Sequence, residues 1–324
     1  MERLRIGTRG SELALFQANA VAALLADRAG VETEVVVIRT SGDRLAEASL
    51  AEIGGKRLFV KEIEDALLAG TVDIAVHSSK DLPAVLPDGL ALGAVLERDD
   101  PRDAVVLPGA TGRVLSLEAL VAHLGRAPRI GTSSIRRIAQ LTRLFPAAEF
   151  LPIRGNVATR LAKLDAGGFD ALVLAAAGLR RLGYHARIAT PVPVAACVPA
   201  PGQGIIAVEY RAADAWVAER LLTITHEASA AALEAERAVV TELGGGCQMP
   251  IGACAEVDED TIGLTTVVTS PDGARSVRVE VRGLAADPRQ AGLQAAGQLL
   301  AEGAGAILHA VRATQPGASL VRPE

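Results

Sequence analysis

Through the first two thirds of the chain, short runs of β-branched and aliphatic residues alternate with stretches whose apolar positions recur at helical spacing. LRIGT (4–8), EVVVIRT (34–40), DIAVHS (73–78), LALGAVL (90–96), RIGTS (129–133), EFLPIR (149–154) and ALVLAAA (171–177) read as strands. Segments 12–27, 59–69, 134–144 and 156–166 read as amphipathic helices between them. This alternation predicts an α/β architecture with mostly parallel sheets covered on both faces. Two stretches interrupt it: the charged ERDDPRDAVV (97–106) and the Pro-rich VPVAACVPAPGQG (192–204). They read as crossings to and from an inserted second domain, with IIAVEY (205–210) returning to the first sheet. After a helix-rich stretch (213–243), segments 252–257, 261–269 and 275–282 alternate apolar and polar residues. SPDG (270–273) then reads as a hairpin turn, and 287–312 as a helical tail.

The expected organisation has a discontinuous domain 1 (1–100 and 198–222) and an inserted domain 2 (101–197). A small α+β C-terminal domain (223–312) follows, with an antiparallel three-stranded sheet, then a frayed tail (313–324). Half of the 324 residues are hydrophobic and 22% are charged, with a mean hydropathy of +0.30, ample for two or three globular cores.

Composition narrows the function. Aromatic residues are only 2% and the net charge is −5, so a platform for nucleic acid is not expected. No apolar run of about 18 residues occurs, so neither is a membrane partner. The opening MERLRIGTRG carries no apolar signal core. Three cysteines, Cys197, Cys247 and Cys254, form no repeated pattern and fit a reducing cytoplasm. The five histidines lack metal-ligand spacing, so no metal is expected, and a monomer is the default.

Charge placement is more informative than net charge. Between Arg129 and Lys163 stand seven basic residues (Arg129, Arg136, Arg137, Arg143, Arg154, Arg160, Lys163) and one acid, Glu149. Arg9, Arg136, Arg137, Arg154 and Arg160 all stand near expected helix starts, where the backbone already carries partial positive charge. Cations there are unfavourable unless an anion fills the site, so the cluster points to a pocket for a polyanion. GTSSIRR (131–137) and RGNVATR (154–160) repeat the arrangement in successive βα turns. For either alone, the alternative is an ordinary Ser134 or Asn156 helix cap beside surface arginines. VHSSKD (76–81) sets Lys80 and Asp81 at a strand's carboxyl end, either a solvated turn or an acid–base pair in the same cleft. GGGCQMP (244–250) holds Cys247 in a bare glycine loop that a ligand can approach, whereas Cys197 and Cys254 better fit inert small hydrophobes. LAEIGGKRLFVKEIE (50–64) is either a mobile lid over 44–60 or a long exposed turn.

In order along the chain, GTRGSELALFQA, GGKRLFVKE, DIAVHSSKDLP, ERDDPRDA, GTSSIRR, RGNVATRLAKLD, LAAAGLRRLG, PGQG and GGGCQMPIGA resemble the hydroxymethylbilane synthase (porphobilinogen deaminase) family. The resemblance implies two doubly wound domains like those of type II periplasmic binding proteins, plus the third domain. It also implies a transferase of porphyrin biosynthesis that joins porphobilinogen head to tail, losing ammonia at each addition. The growing chain would start on a dipyrromethane cofactor held by a thioether at Cys247. By motif, Asp81, Lys80 and Arg9 would be catalytic. Lys80, Asp81, Thr132, Ser133, Ser134, Arg136, Arg137 and Arg154 would hold the cofactor, and Arg9, Ser11, Arg154, Arg160 and Gln203 the substrate. Asp81 would assist loss of the amino group and stabilise the azafulvene cation; the terminal pyrrole's α-carbon would attack it, and water would release the product after four additions. The competing reading is a two-domain solute-binding module that clamps a polycarboxylate without chemistry. It leaves Cys247 and the third domain without a purpose.

Overall fold

The computed structural model describes residues 3–40, 60–109, 115–246 and 248–314. The first sheet contains β1 (Leu4–Thr8), β2 (Thr33–Val37), β3 (Ile74–Ser78), β4 (Leu90–Val95) and β10 (Ile206–Arg211), in the order β2-β1-β3-β10-β4. The second contains β5 (Asp103–Val106), β6 (Arg129–Gly131), β7 (Glu149–Leu151), β8 (Ala171–Ala175) and β9 (Ile188–Pro191), in the order β7-β6-β8-β5-β9. Helices α1 (Glu12–Ala29), α2 (Lys61–Leu68), α3 (Leu117–Leu124), α4 (Ile135–Leu141), α5 (Val157–Asp165), α6 (Ala176–Arg181) and α7 (Ala215–Leu222) connect these strands or follow them.

The two sheets share one topology. In each, four strands run in one direction and a single strand, β10 or β5, runs against them. The reversed strand is in both cases the first one after a crossing. The chain leaves β4 at the carboxyl edge of the first sheet and must enter the second sheet from its carboxyl edge. It therefore runs down β5 against its neighbours, and the return into β10 obeys the same constraint. The expectation of mostly parallel sheets holds for four strands of each five. It misses the crossing boundary, because the buried run DAVV of β5 falls inside the charged segment read as a crossing. The outbound crossing is thus 97–102, and α3 and β9 are further elements that the pattern did not mark. The expected strand 171–177 stops at Ala175, where α6 begins.

The third unit contains α8 (Glu227–Glu242), then β11 (Ile251–Asp258), β12 (Thr261–Thr269) and β13 (Ser276–Leu284) in an antiparallel sheet of that order. The expected helical tail is two helices, α9 (Pro288–Ala301) and α10 (Ala304–Thr314), broken at Gly303, whose φ is +94°. Its core joins α8 to the sheet through Val239, Ile251, Leu264, Val281 and Leu299, and Ile135 of α4 packs against it. Helix ends follow local chemistry. Ser11 accepts from the Ala14 N–H at the start of α1, and Gly30, at φ +63°, closes it.

The three units meet where the crossings run side by side. Arg98 of the outbound crossing donates to Glu236 Oε1 at 2.6 Å. The Gly202 N–H of the return crossing donates to Oε2 at 2.6 Å, and the Ala255 N–H of β11 to Oε1 at 2.7 Å. The Glu236 carboxylate is fully buried and its acceptor sites are filled by the two crossings and β11. Gly204, at φ +89°, lies so close to the Asp99 carbonyl that a Cβ would collide with it. Gly30 has a similarly positive φ but open space around it. Gly30→Ala should therefore cost about 1 kcal/mol for the left-handed backbone alone. Gly204→Ala should cost roughly 2–4 kcal/mol, adding displacement of the neighbouring crossing. Urea unfolding of the two variants checks the difference, and equal midpoints would show that the crossings are not tightly apposed.

Candidate active site

Strand β3 is buried through Val76 and ends at Ser78 in a single 3-10 turn, Ser79–Asp81. The Ser79 N–H donates to the Ile205 carbonyl at 3.0 Å, which fixes the turn against the return crossing. Lys80 and Asp81 thus stand at the carboxyl end of β3, beside two cavities. The larger, of about 230 Å³, is lined by Lys80, Asp81, Ser134, Arg136, Arg137 and Gln203, with Leu233, Arg237 and Val240 of α8 among its other residues. Gly246 and Met249 also line it. The smaller, of about 70 Å³, is lined by Arg9, Ser11, Gln17, His77 and Asp81, among others. Asp81 is common to both.

The arginine pair occupies the first turn of α4, which Ser134 caps by accepting from the Arg137 N–H at 3.5 Å. Both side chains are buried and both reach Asp103. Arg136 Nη1 donates to Asp103 Oδ2 at 2.7 Å, and Arg137 Nε to Oδ1 at 2.8 Å. Arg136 Nη1 also reaches the Val198 carbonyl at 2.7 Å, and Arg137 Nη1 the Val173 carbonyl at 2.9 Å. Burial alone would raise the pKa of Asp103, but Arg136 and then Arg137 overcome it and hold the carboxyl well below the usual carboxylate range. The anion that the sequence argument demanded at this helix start is, in part, internal. No reading of the sequence singled out Asp103, because ERDDPRDA offers several acids and nothing in the run separates them.

Gln203 extends the network. Its Nε2 donates to Asp103 Oδ1 at 2.9 Å and to the Pro101 carbonyl at 2.7 Å, while its Oε1 accepts from Lys80 Nζ at 3.4 Å. Lys80 has its pKa lowered to about 8, first by burial and then by Arg137. A ligand carboxylate there would favour the charged form and raise it again. Arg160, on α5, donates from Nε to the Gly155 carbonyl at 2.8 Å. Its pKa is lowered to about 10 by burial and then by Arg137, against an opposing pull from Asp81. These cations crowd one another, and the geometry favours any anion that enters.

Other expected site residues are placed differently. The Ser133 hydroxyl donates to the Ile153 carbonyl at 2.9 Å and accepts from its N–H at 3.0 Å, joining the loops after β6 and β7. Thr132 is buried and accepts from the Ser134 N–H at 3.3 Å. Thr132, Ser133, Arg154 and Arg160 are not among the residues lining the larger cavity. Asn156 caps α5, accepting from the Thr159 N–H at 2.8 Å. Of the basic cluster, Arg129 pairs instead with Asp170 at 2.8 Å on the surface. Burial, then Asp103, pushes the Cys197 thiol up to about 12; burial, then Glu236, does the same to Cys254. Neither is a nucleophile at neutral pH. Cys247 lies outside the described residues, as do residues 41–59 of the candidate lid and 315–324 of the tail. Helix α10 runs to Thr314, two residues into the expected tail. Among the described residues no cluster of His, Cys, Asp or Glu suits a metal ion, and no helix is long and apolar enough to cross a membrane.

Comparison with known proteins places this geometry in a family. Residues 4–219 match the family model described as porphobilinogen deaminase, dipyromethane cofactor binding domain, and residues 230–301 match the porphobilinogen deaminase C-terminal domain. The porphobilinogen deaminase of Geotalea daltonii is 46% identical over 309 residues, covering 95% of this chain and 94% of the relative. That of Moorella thermoacetica is 46% identical over 315 residues, covering 97% and 98%. A solved periplasmic VFT2 domain of Bordetella pertussis BvgS is a looser likeness, with 18% identity, a TM-score of 0.40, and coverage of 68% of this chain and 86% of that one. The chain belongs to the porphobilinogen deaminase family, and its first two sheets fall within that family's dipyrromethane cofactor binding domain.

Proposed function

We propose that this chain joins four molecules of porphobilinogen head to tail, with loss of ammonia, into the linear tetrapyrrole hydroxymethylbilane. The observation that carries the reading is the position of Asp81, in the wall shared by two cavities. One of these contains Lys80, Arg136 and Arg137 together with both flanks of the Cys247 loop, Gly246 and Met249. The other contains Arg9 and Ser11. The residues present fit a dipyrromethane. Guanidiniums offer planar two-pronged donors to carboxylates, and the apolar Leu233, Val240 and Met249 face the same space, as pyrrole rings require. That group, when bound by a thioether at Cys247, supplies the growing end to which each unit is added.

The chain's own residues do the rest. Lys80, Arg136 and Arg137, with Ser134 at the helix cap and Thr132, Ser133 and Arg154 in the adjoining turns, hold cofactor carboxylates. Arg9, Ser11, Arg160, Arg154 and Gln203 orient the incoming porphobilinogen. Asp81 hydrogen-bonds pyrrole N–H groups and stabilises the positive charge that develops as ammonia leaves. Domain limits at 1–100 with 198–222, 101–197 and 223–312 fit the three sheets. We further infer a cytoplasmic monomer without nucleic-acid or membrane partners, consistent with the free, buried Cys197 and Cys254 and with the acidic chain. A solute-binding module without chemistry would leave the shared position of Asp81 and the C-terminal family match unused.

Cofactor attachment is checked by intact mass. Cys247→Ser should remove the adduct and nearly all turnover, whereas Cys197→Ser and Cys254→Ser should keep both; an adduct surviving in the Cys247 variant would end the assignment. The role of Asp81 is checked by single-turnover deamination in protein whose adduct is confirmed. Asp81→Asn keeps size and loses charge, and should slow the step by about 10²-fold or more. Asp81→Glu keeps the charge one methylene away and should retain more activity. Equal rates in the two variants would show that charge at Asp81 is not used.

A further inference from the structure

Asp103 has no part in the roles above, yet it is a fully enclosed charge beside the cleft. It is the first residue of β5, where the chain enters the second sheet from the carboxyl edge. Its side chain is fully buried, and it accepts from Arg136, Arg137 and Gln203. We propose that Asp103 is a positioning residue for the cofactor: it holds the two guanidiniums in the cleft wall and, through Gln203, ties them to Lys80 across both crossings. The inference rests on the function proposed above.

Three observations carry it. First, Arg136 and Arg137 are consecutive like charges facing a third, Lys80, and without an anion between them their repulsion would spread them apart. Second, Asp103 fixes direction as well as distance. Arg136 reaches it with both terminal nitrogens, Nη1 at 2.7 Å and Nη2 at 3.1 Å, the two-pronged geometry that sets a guanidinium's plane. Each guanidinium carries five N–H donors, and the Nε of Arg136 takes no part in these contacts. Third, the larger cavity is lined by four cations, Lys80, Arg136, Arg137 and Arg237, against the single lining carboxylate of Asp81, so Asp103 supplies a second anion from behind the wall. A cleft without Asp103 would hold more charge and less geometry.

The test uses the full chain with Asp103→Asn and Asp103→Glu, and the wild type in parallel. Intact mass reads the adduct, steady-state kinetics separate kcat from KM, and thermal unfolding reads stability. The Asn variant should be recovered mostly without adduct. The Glu variant keeps the charge and should restore the adduct, but with the guanidiniums displaced it should turn over about tenfold more slowly at unchanged KM. A fully loaded Asn variant with normal turnover would overturn the proposal. So would loss of the adduct in both variants alike, which would make Asp103 a residue of the fold alone. If the Asn variant does not accumulate, the Glu variant decides: wild-type turnover, or a raised KM at unchanged kcat, overturns the assignment. A wild-type chain with neither adduct nor turnover would instead remove the function on which the inference rests.

Discussion

The whole arrangement depends on where the chain crosses between its two α/β sheets. Both crossings join carboxyl edge to carboxyl edge, so the turns that follow the parallel strands of one sheet are gathered with those of the other. Arg9 and Ser11 follow β1, Lys80 and Asp81 follow β3, Thr132 to Arg137 follow β6, and Arg154 to Arg160 follow β7. Open α/β sheets bind ligands at these ends. Here the return crossing also supplies Gln203, which hydrogen-bonds the outbound crossing at Pro101 and both sets of charged residues. The feature that reverses β5 and β10 is therefore the same one that assembles the site.

The electrostatics follow from that assembly. An acidic chain concentrates cations near helix starts where its backbone is already electropositive, and then limits the cost with enclosed carboxylates. Asp103 balances the arginine pair of α4, and Glu236 balances Arg98 between the crossings. Removing one partner of such a buried pair leaves an uncompensated charge, at a cost of about 3–5 kcal/mol, well above that of an exposed pair such as Arg129 with Asp170. On the cleft side, burial and then Arg137 lower the pKa of Lys80 and of Arg160, so an anion entering there would favour the charged form of each.

Much of this was legible in the sequence because the relevant signals are local. Short apolar runs and helical spacing located β1, β3, β4, β6, α1 and α5 closely, and Ser11, Ser134 and Asn156 are helix caps by the local chemistry that marks such residues. The Pro- and charge-rich crossings were visible as breaks. What stayed hidden is non-local. Strand direction in β5 and β10 depends on which edge the chain enters, which no window of residues records. DAVV is too short to separate from the charged run before it. Asp103 looks like its neighbours Asp99 and Asp100 until the fold brings α4 to it from 33 residues away. The same limit hid the bridge by which the Ser133 hydroxyl joins the backbone of Ile153.

The third unit also gains a purpose from this frame. Helix α8 is held to both crossings and to β11 through Glu236, a carboxylate with no exposure. The same helix sends Leu233, Arg237 and Val240 to the wall of the larger cavity. It ends at Glu242, a few residues before the glycine loop whose flanks, Gly246 and Met249, line that cavity. A group attached within that loop is consequently referenced to the crossings and not only to its own sheet. The crossings also hold Lys80, Arg136 and Arg137, so the proposed attachment point and the proposed anion-binding groups share one mechanical frame. On the reading proposed above, a tether on a freely hinged third unit would hand each added pyrrole to a different geometry, whereas one clamped through Glu236 would present the growing end to Asp81 from a fixed origin.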